Sequence, residues 1–139
     1  MNRIDPSNLL RQVLSDLPEF WSVDHDIAGR ADAITKTYFA VETGLRELTD
    51  EVTRHEAGKM PIDLDILQGW TARAQRVKAL QDQANAEVSA LADELARRGL
   101  LDSAGVQLQG IFRAFIERVG EASREFSAAI VGAASARRD

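Results

Sequence analysis

Apolar residues recur along most of this chain at alternating intervals of three and four. The clearest run lasts about four heptads before Gly58 and Pro61 interrupt it. This spacing places side chains on one face of a helix and is typical of helices that pack side by side in a coiled-coil-like bundle. We therefore predict a helix over residues 24–57. The positions on its buried face are Ile27, Ala31, Ile34, Tyr38, Val41, Leu45, Leu48, Val52 and His55.

A second segment with the same spacing predicts a helix over residues 64–98. Asp63 or Asp65 can cap its first turn. Gly99 can adopt the left-handed conformation that ends many helices, and Leu100 then folds back as in a Schellman motif. The repeating positions are Leu67, Trp70, Ala74, Val77, Gln81, Ala84, Val88, Leu91 and Leu95.

A third segment predicts a helix over residues 103–136. Its apolar stripe is wider than one neighbouring helix can cover, because Ile111, Ile116 and Ile130 flank the main row. We expect this helix to be either the most enclosed one or the one that contacts a partner. The main row consists of Leu108, Phe112, Phe115, Val119, Ala122, Phe126, Ala129 and Ala133.

The N-terminal residues predict one short helix. Asp5 followed by Pro6 is a helix start, and apolar residues then recur at helical spacing until Pro18. We predict an amphipathic helix over residues 6–17, followed by a connector that contains Phe20 and Trp21.

Together these segments predict an all-α single domain over residues 1–139. The three long helices would each measure about 50 Å, and their short links force them to run up, down and up. The expected fold is a bundle of three long antiparallel amphipathic helices. The short N-terminal helix lies across one end of the bundle or fills a fourth groove.

Composition narrows the classes of function. The net charge of the 139 residues is −5, and basic residues are scattered among acidic ones, so we expect no nucleic-acid partner. With no cysteine, the chain has neither disulfides nor cysteine-based zinc sites. The longest apolar run, 128–134, is far shorter than a membrane span, so we expect no stable membrane insertion. We expect a cytoplasmic protein, and the Ala- and Arg-rich composition suggests a bacterial one.

The residues offer little for catalysis. His25 lies between two aspartates at a helix start, where a solvated role is the ordinary one. His55 follows Glu51 by one turn, but di-iron bundles use Glu-x-x-His pairs on two helices and no such pair exists here, so we predict packing at the bundle end. Gln81 is expected to set helix register. Gly110 and Gly120 are expected to mark close helix contacts. We predict no catalytic residue, no metal and no cofactor, and therefore no enzyme.

Some apolar side chains have no assigned burial. Either they bind a partner, or the N-terminal helix and its connector cover them within the chain. Both interpretations remove the same apolar area from water. The candidate partner-binding residues are Phe20, Trp21, Phe39, Ile111, Ile116 and Ile130.

The sequence favours a non-enzymatic protein–protein interaction module that self-associates, as a homodimer, or binds another protein. Small acidic helical proteins of this size include bacterial export chaperones, adaptors and immunity proteins, and the similarity is one of size, charge and helicity only. The alternative is a ligand-sensing bundle with a small-molecule pocket between the second and third predicted helices, lined by Tyr38, Trp70 and Gln81. A third hypothesis is a bundle that opens on a lipid surface.

Overall fold

A computed structural model describes residues 25–136. They form three long helices, α1 (His25–Ala57), α2 (Leu64–Arg97) and α3 (Val106–Ala136), with a π-helical turn at Leu101–Gly105 between α2 and α3. Residues 25–136 contain no strand. The prediction of an all-α helical bundle is confirmed. The predicted N-terminal helix over residues 6–17 and the connector with Phe20 and Trp21 lie outside the described residues.

Helix α1 is the element on which the bundle is organised. It packs against both α2 and α3, most extensively against α3, and the turn that joins α2 to α3 packs against both of its own helices. Within residues 25–136, α1 is thus covered from two sides. Of the two expectations for the last helix, that it is the most enclosed one or that it contacts a partner, the first is wrong. The buried apolar positions of its predicted row are Ile27, Ala31, Ile34, Tyr38, Val41, Leu45, Leu48 and Val52.

Contacts along the helices follow a regular order. Between α1 and α2, the partner in α2 moves to lower residue numbers as α1 proceeds. The pairs are Tyr38 with Asn85, Gly44 with Val77, Glu51 with Arg73, and His55 with Trp70. Between α1 and α3 the numbers rise together, from Glu42 with Arg118 to Arg46 with Glu125.

The core divides into two clusters of buried side chains. The larger one joins the first two thirds of α1 to the second half of α2 and the first half of α3, and Tyr38 and Phe115 are its largest fully buried side chains. The smaller one lies at the other end and contains Leu48, Val52, Trp70 and Ala133. This division places the joining turn beside the larger cluster.

Both ends of α2 follow the sequence signals. The Asp63 carboxylate accepts a hydrogen bond from the Ile66 amide at 2.9 Å, so Asp63 rather than Asp65 is the cap. At the other end Gly99 has a φ of 70°, and the Leu100 amide donates to the Leu95 carbonyl at 2.9 Å. This hydrogen bond is the long bond of a Schellman motif, as predicted.

The end of α1 has a residue other than glycine in the left-handed position. The Met60 amide donates to the His55 carbonyl at 3.0 Å, again as in a Schellman motif. The residue with positive φ is Lys59, at 51°, and not Gly58. A side chain in this left-handed region costs about 1–2 kcal/mol because its Cβ crowds the following carbonyl oxygen.

Three further expectations about individual residues are wrong. Leu67 is 45% exposed, and Ile66 packs against the smaller cluster in its place. A Cβ on Gly110 would meet nothing within 4 Å, and one on Gly120 would meet only Arg124 of its own helix. These two glycines therefore do not mark close helix contacts. The close approach is at Gly44, on α1.

Candidate functional site

An open groove of about 670 Å³ lies between the second half of α2 and the first half of α3. Leu91 and Leu95 line one wall, while Leu108, Phe112 and Ile116 line the other. Four of these five side chains belong to the core, so the floor of the groove is the outer surface of the larger cluster. A surface of this kind binds apolar groups, because it removes their area from water.

The turn between α2 and α3 forms the closed end of this groove. After the Schellman motif, the Gly105 amide donates to the Leu100 carbonyl at 2.9 Å, which closes one wide π-type turn. Gly105 is buried, and a Cβ at this position would lie 3.1 Å from Leu101 Cδ1. The turn thereby holds Leu101 and Val106 at the edge of the groove.

Large apolar side chains at the rim are unusually exposed. Leu101 is 43% exposed, Val106 57% and Ile116 42%. All three line the same groove. Contiguous exposed apolar groups often mark a binding surface, whereas single ones need no explanation.

The groove also carries a few polar groups. Asp102, Gln109 and Arg113 are among its lining residues and supply one carboxylate, one amide and one guanidinium. Polar groups around an apolar floor orient a ligand and favour ligands whose own polar groups match them. Asp102 and Arg113 are the ionisable groups of the described lining and can bind charged side chains. The described lining holds no nucleophile beside a base.

A second polar arrangement lies between α1 and α3. Glu42 is 3% exposed, and its Oε2 accepts hydrogen bonds from Arg46 Nε at 3.0 Å and from Arg118 Nη2 at 3.0 Å. Arg46 Nη1 also donates to Glu125 Oε2 at 2.7 Å. The hydrogen bond from Arg46 to Glu42 raises the pKa of Arg46. These four residues tie α3 to α1, and Oε1 of Glu42 is buried without a hydrogen-bond partner.

Glu42 is not part of the main heptad row of α1. A signal is nevertheless present, because Ala28, Thr35 and Glu42 follow one another at intervals of seven, and all three are buried. They form a second row beside the main row of α1. A helix that packs against two neighbours buries a wider stripe than one heptad row, and this second row is the result.

The other end of the bundle contains His55. Its ring packs edge-on against Trp70, with ring centroids 5.3 Å apart, and its Nδ1 lies 3.0 Å from the Glu51 carbonyl oxygen. The Glu51 carboxylate is hydrogen-bonded to Arg73. That bond lowers the pKa of Glu51, and the nearby Trp70 indole N–H lowers it further. This N–H is buried and forms no well-aligned hydrogen bond. His55 thus packs at the bundle end, as expected.

The structure separates the predicted partner-binding residues. Ile116 lines the groove and is exposed, whereas Ile111 is buried in the larger cluster. Phe39 is half-buried on α1, and Ile130 is half-buried against the smaller cluster. Phe20 and Trp21 lie outside the described residues. The groove-edge residues Leu101 and Val106 were missed, because the repeat spacing does not cover the turn between two helices.

The residues proposed for a small-molecule pocket are placed apart from the groove. Tyr38 and Trp70 are buried, and the Tyr38 hydroxyl donates to Asn85 Oδ1 at 2.6 Å. Burial raises the pKa of Tyr38. A second cavity, of about 280 Å³, is lined by His55 and its neighbours at the end of α1. Neither this cavity nor the groove has Tyr38, Trp70 or Gln81 in its described lining.

Comparison of the chain with protein-family models, with curated proteins and with solved structures found no match. None of the helices within residues 25–136 combines the length and apolar character that crossing a membrane requires. Geometry and chemistry of the described residues are therefore the basis for a functional proposal.

Proposed function

We propose that this chain is a non-enzymatic protein-interaction module, and that the groove between α2 and α3 binds an amphipathic helix. The observation that carries the proposal is the open apolar groove with Leu101, Val106 and Ile116 exposed along its rim. Helix-in-groove binding needs an elongated apolar floor for residues spaced three and four apart on the bound helix. Two helix walls side by side offer such a floor.

The order of contacts along α1 supports an antiparallel arrangement of the three helices. Partners in α2 descend in number and partners in α3 ascend, so we infer that α1 and α3 run in one direction and α2 in the other. The bundle then has the up-down-up, coiled-coil-like arrangement that the repeat spacing predicts. The groove is the position that a fourth helix would take in such a bundle.

An affinity-capture experiment with matched variants tests the proposed function. We expect wild-type protein to retain a stoichiometric protein partner from cells of its source, and Ile116→Glu to lose it, because the bound helix would have to take a carboxylate out of water on an apolar surface. The matched control is Ala40→Glu, on the exposed side of α1, which should retain the partner. Calorimetry with the purified partner should show at least about tenfold weaker binding for Ile116→Glu, equal to about 1.4 kcal/mol.

Other outcomes would favour other functions. If Ile116→Glu bound the purified partner as tightly as wild type, the groove would not be the binding surface. If no protein partner were retained while a small molecule raised the melting temperature, the ligand-sensing alternative would replace this proposal. Flotation of the protein with liposomes would favour the lipid-surface hypothesis instead.

Self-association is proposed as a separate property with a separate surface. Met60, Leu64 and Leu67 are exposed around the start of α2, at the opposite end from the groove. An exposed apolar patch of this kind is a ready surface for a second copy. Light scattering over a dilution series should give twice the chain mass at high concentration, and Leu64→Glu should reduce it to one chain. A single-chain mass for wild type at every concentration would remove self-association from the proposal.

A further inference from the structure

We propose that the groove has an occupant within its own chain, namely residues 6–17, which the sequence predicts to form an amphipathic helix. This inference rests on the proposed function of the groove and deepens it. A partner helix and this segment would then bind the same surface. Three observations support this occupant rather than a second copy.

The first observation is the position at which the segment is attached. Tyr38 pairs with Asn85 across α1 and α2. At 1.5 Å per residue, His25 lies roughly 20 Å before Tyr38 along α1, and Arg97 lies roughly 18 Å beyond Asn85 along α2. The start of α1 is therefore at the same end of the bundle as the end of α2 and the groove. Residues that precede His25 are attached to α1 at this end.

The second observation is a match of lengths. The groove wall on α3 runs from Val106 to Ile116, roughly 15 Å of helix, and a helix over residues 6–17 measures roughly 18 Å. Residues 18–24 join the two and span up to about 23 Å when extended. The connector is thus long enough to place the helix along the groove, and short enough to keep it near.

The third observation is complementary chemistry. As the helix that the sequence predicts, residues 6–17 would present one apolar face, made of Leu9, Leu10, Val13, Leu14 and Leu17. The same segment carries Arg11 and Asp16, while the rim of the groove carries Asp102 and Arg113. Each charged group of the segment therefore has an opposite charge available at the rim, and the apolar face covers an apolar floor.

Covalent attachment also favours residues 6–17 over a second copy of the chain as the occupant of the groove. A connector of seven residues, 18–24, holds the segment at a local concentration on the order of millimolar. A second copy at micromolar concentration competes poorly with such a neighbour. At ordinary protein concentrations an occupant from within the chain is therefore favoured over a second copy.

A single introduced thiol tests this occupant in the full-length chain, which has no cysteine of its own. The rate at which Ile116→Cys is alkylated, relative to its rate in urea, reports whether the groove is covered. We expect this rate to be at least about tenfold slower than that of Ala40→Cys, on the exposed side of α1. Adding Leu10→Glu and Leu14→Glu should bring the Ile116→Cys rate up to the Ala40→Cys rate and leave Ala40→Cys unchanged.

Two results would overturn the inference. One is an Ile116→Cys rate equal to that of Ala40→Cys in the chain with its leucines intact. The other is protection that disappears on dilution from about 100 to 1 µM, because an intrachain occupant is insensitive to concentration. Neither result would affect the capture experiment with Ile116→Glu, so failure of this inference is distinguishable from failure of the proposed function.

A crosslinking measurement covers the case in which the leucine variants do not fold. With a short thiol-reactive crosslinker, the Val13→Cys/Ile116→Cys chain should form an intrachain link. The Val13→Cys/Ala40→Cys chain should form none. Equal linking in both chains, or in neither, would contradict the placement of residues 6–17 in the groove.

Discussion

Gly44 on α1 faces Val77 on α2 so closely that a Cβ on Gly44 would lie 2.9 Å from Val77 Cγ2. Real Cβ atoms do not approach a methyl group to this distance, and valine has little freedom to turn away. The absence of a side chain at Gly44 therefore sets how near α1 and α2 can come.

We predict that Gly44→Ala lowers the free energy of unfolding by about 1 kcal/mol. The clash costs about 1–3 kcal/mol, and the better helix propensity of alanine offsets up to about 1 kcal/mol. Gly110→Ala is the control, since nothing lies near a Cβ there, and it should stabilise the protein. Urea unfolding followed by circular dichroism measures both. Adding Val77→Ala to Gly44→Ala should recover part of the lost stability. If Gly44→Ala and Gly110→Ala stabilised the protein equally, the close contact between Gly44 and Val77 would be contradicted.

We predict that Glu42→Ala destabilises the bundle by roughly 1–3 kcal/mol, because two arginines lose the carboxylate that they share. Both arginines are partly exposed and can reach water, which keeps the cost below that of a fully buried charge. Glu125→Ala removes a half-exposed carboxylate from the same group and should cost less than about 1 kcal/mol. Urea unfolding compares the free energies of unfolding of the two variants. Equal losses for Glu42→Ala and Glu125→Ala would mean that the burial of Glu42 has no energetic consequence.

Truncation of Phe115 tests the position of the core. Phe115 is almost fully buried in the larger cluster, so Phe115→Ala should lower the free energy of unfolding by about 3–5 kcal/mol. Val131, on the same helix, is largely exposed, and Val131→Ala should change stability by no more than about 0.5 kcal/mol. Thermal and urea unfolding give the two values. A near-neutral Phe115→Ala would show that this face of α3 is not core.

The pair of Glu51 and Arg73 should make stability depend on pH. The hydrogen bond from Arg73 holds the pKa of Glu51 below its usual value of 4.5. A carboxylate with a lowered pKa in the folded state stabilises the fold at pH values above its unfolded pKa, and this contribution is lost as the pH falls through the folded pKa. Since both side chains are about one third exposed, solvent screening keeps the effect small.

We therefore expect wild type to melt higher than Glu51→Gln at pH 7, and the difference to shrink as the pH falls below about 4.5. In an Arg73→Met background, Glu51→Gln should change the melting temperature much less, because the cause of the lowered pKa has been removed. Melting temperatures at a series of pH values measure this. A difference that stayed constant down to acid pH would exclude this pair as its source.

The helices themselves were predictable because their signals are local. A heptad repeat indicates which side of a helix is apolar, whatever helix packs against it. Asp63 and Gly99 likewise indicate where α2 begins and ends. The end of α1 was less predictable, since Lys59 adopts a left-handed conformation that the adjacent Gly58 would tolerate more easily. The helix continues to Ala57, and the Schellman hydrogen bonds then place the left-handed position at Lys59.

The groove was not predictable to the same extent. Ile116 stood out because it broadened the apolar stripe of its helix, but its relation to Leu101 and Val106 depends on a turn whose shape the repeat does not describe. Likewise, the burial of Glu42 depends on how far α1 is rotated between two neighbours. Ile111 and Ile116 looked equivalent in the sequence, and only the rotation of α3 separates a buried residue from an exposed one.

By itself, the sequence determined that this protein is built from long helices, and which row of side chains each helix turns inward. The tertiary structure alone decided which of those rows meet, that Gly44 rather than Gly110 or Gly120 lies against a neighbouring helix, and that α2 and α3 leave a groove between them. The physical reason is that helix formation and apolar periodicity come from neighbours along the chain. The rotation, register and spacing of helices come from side chains far apart in sequence, which meet only when the bundle has formed.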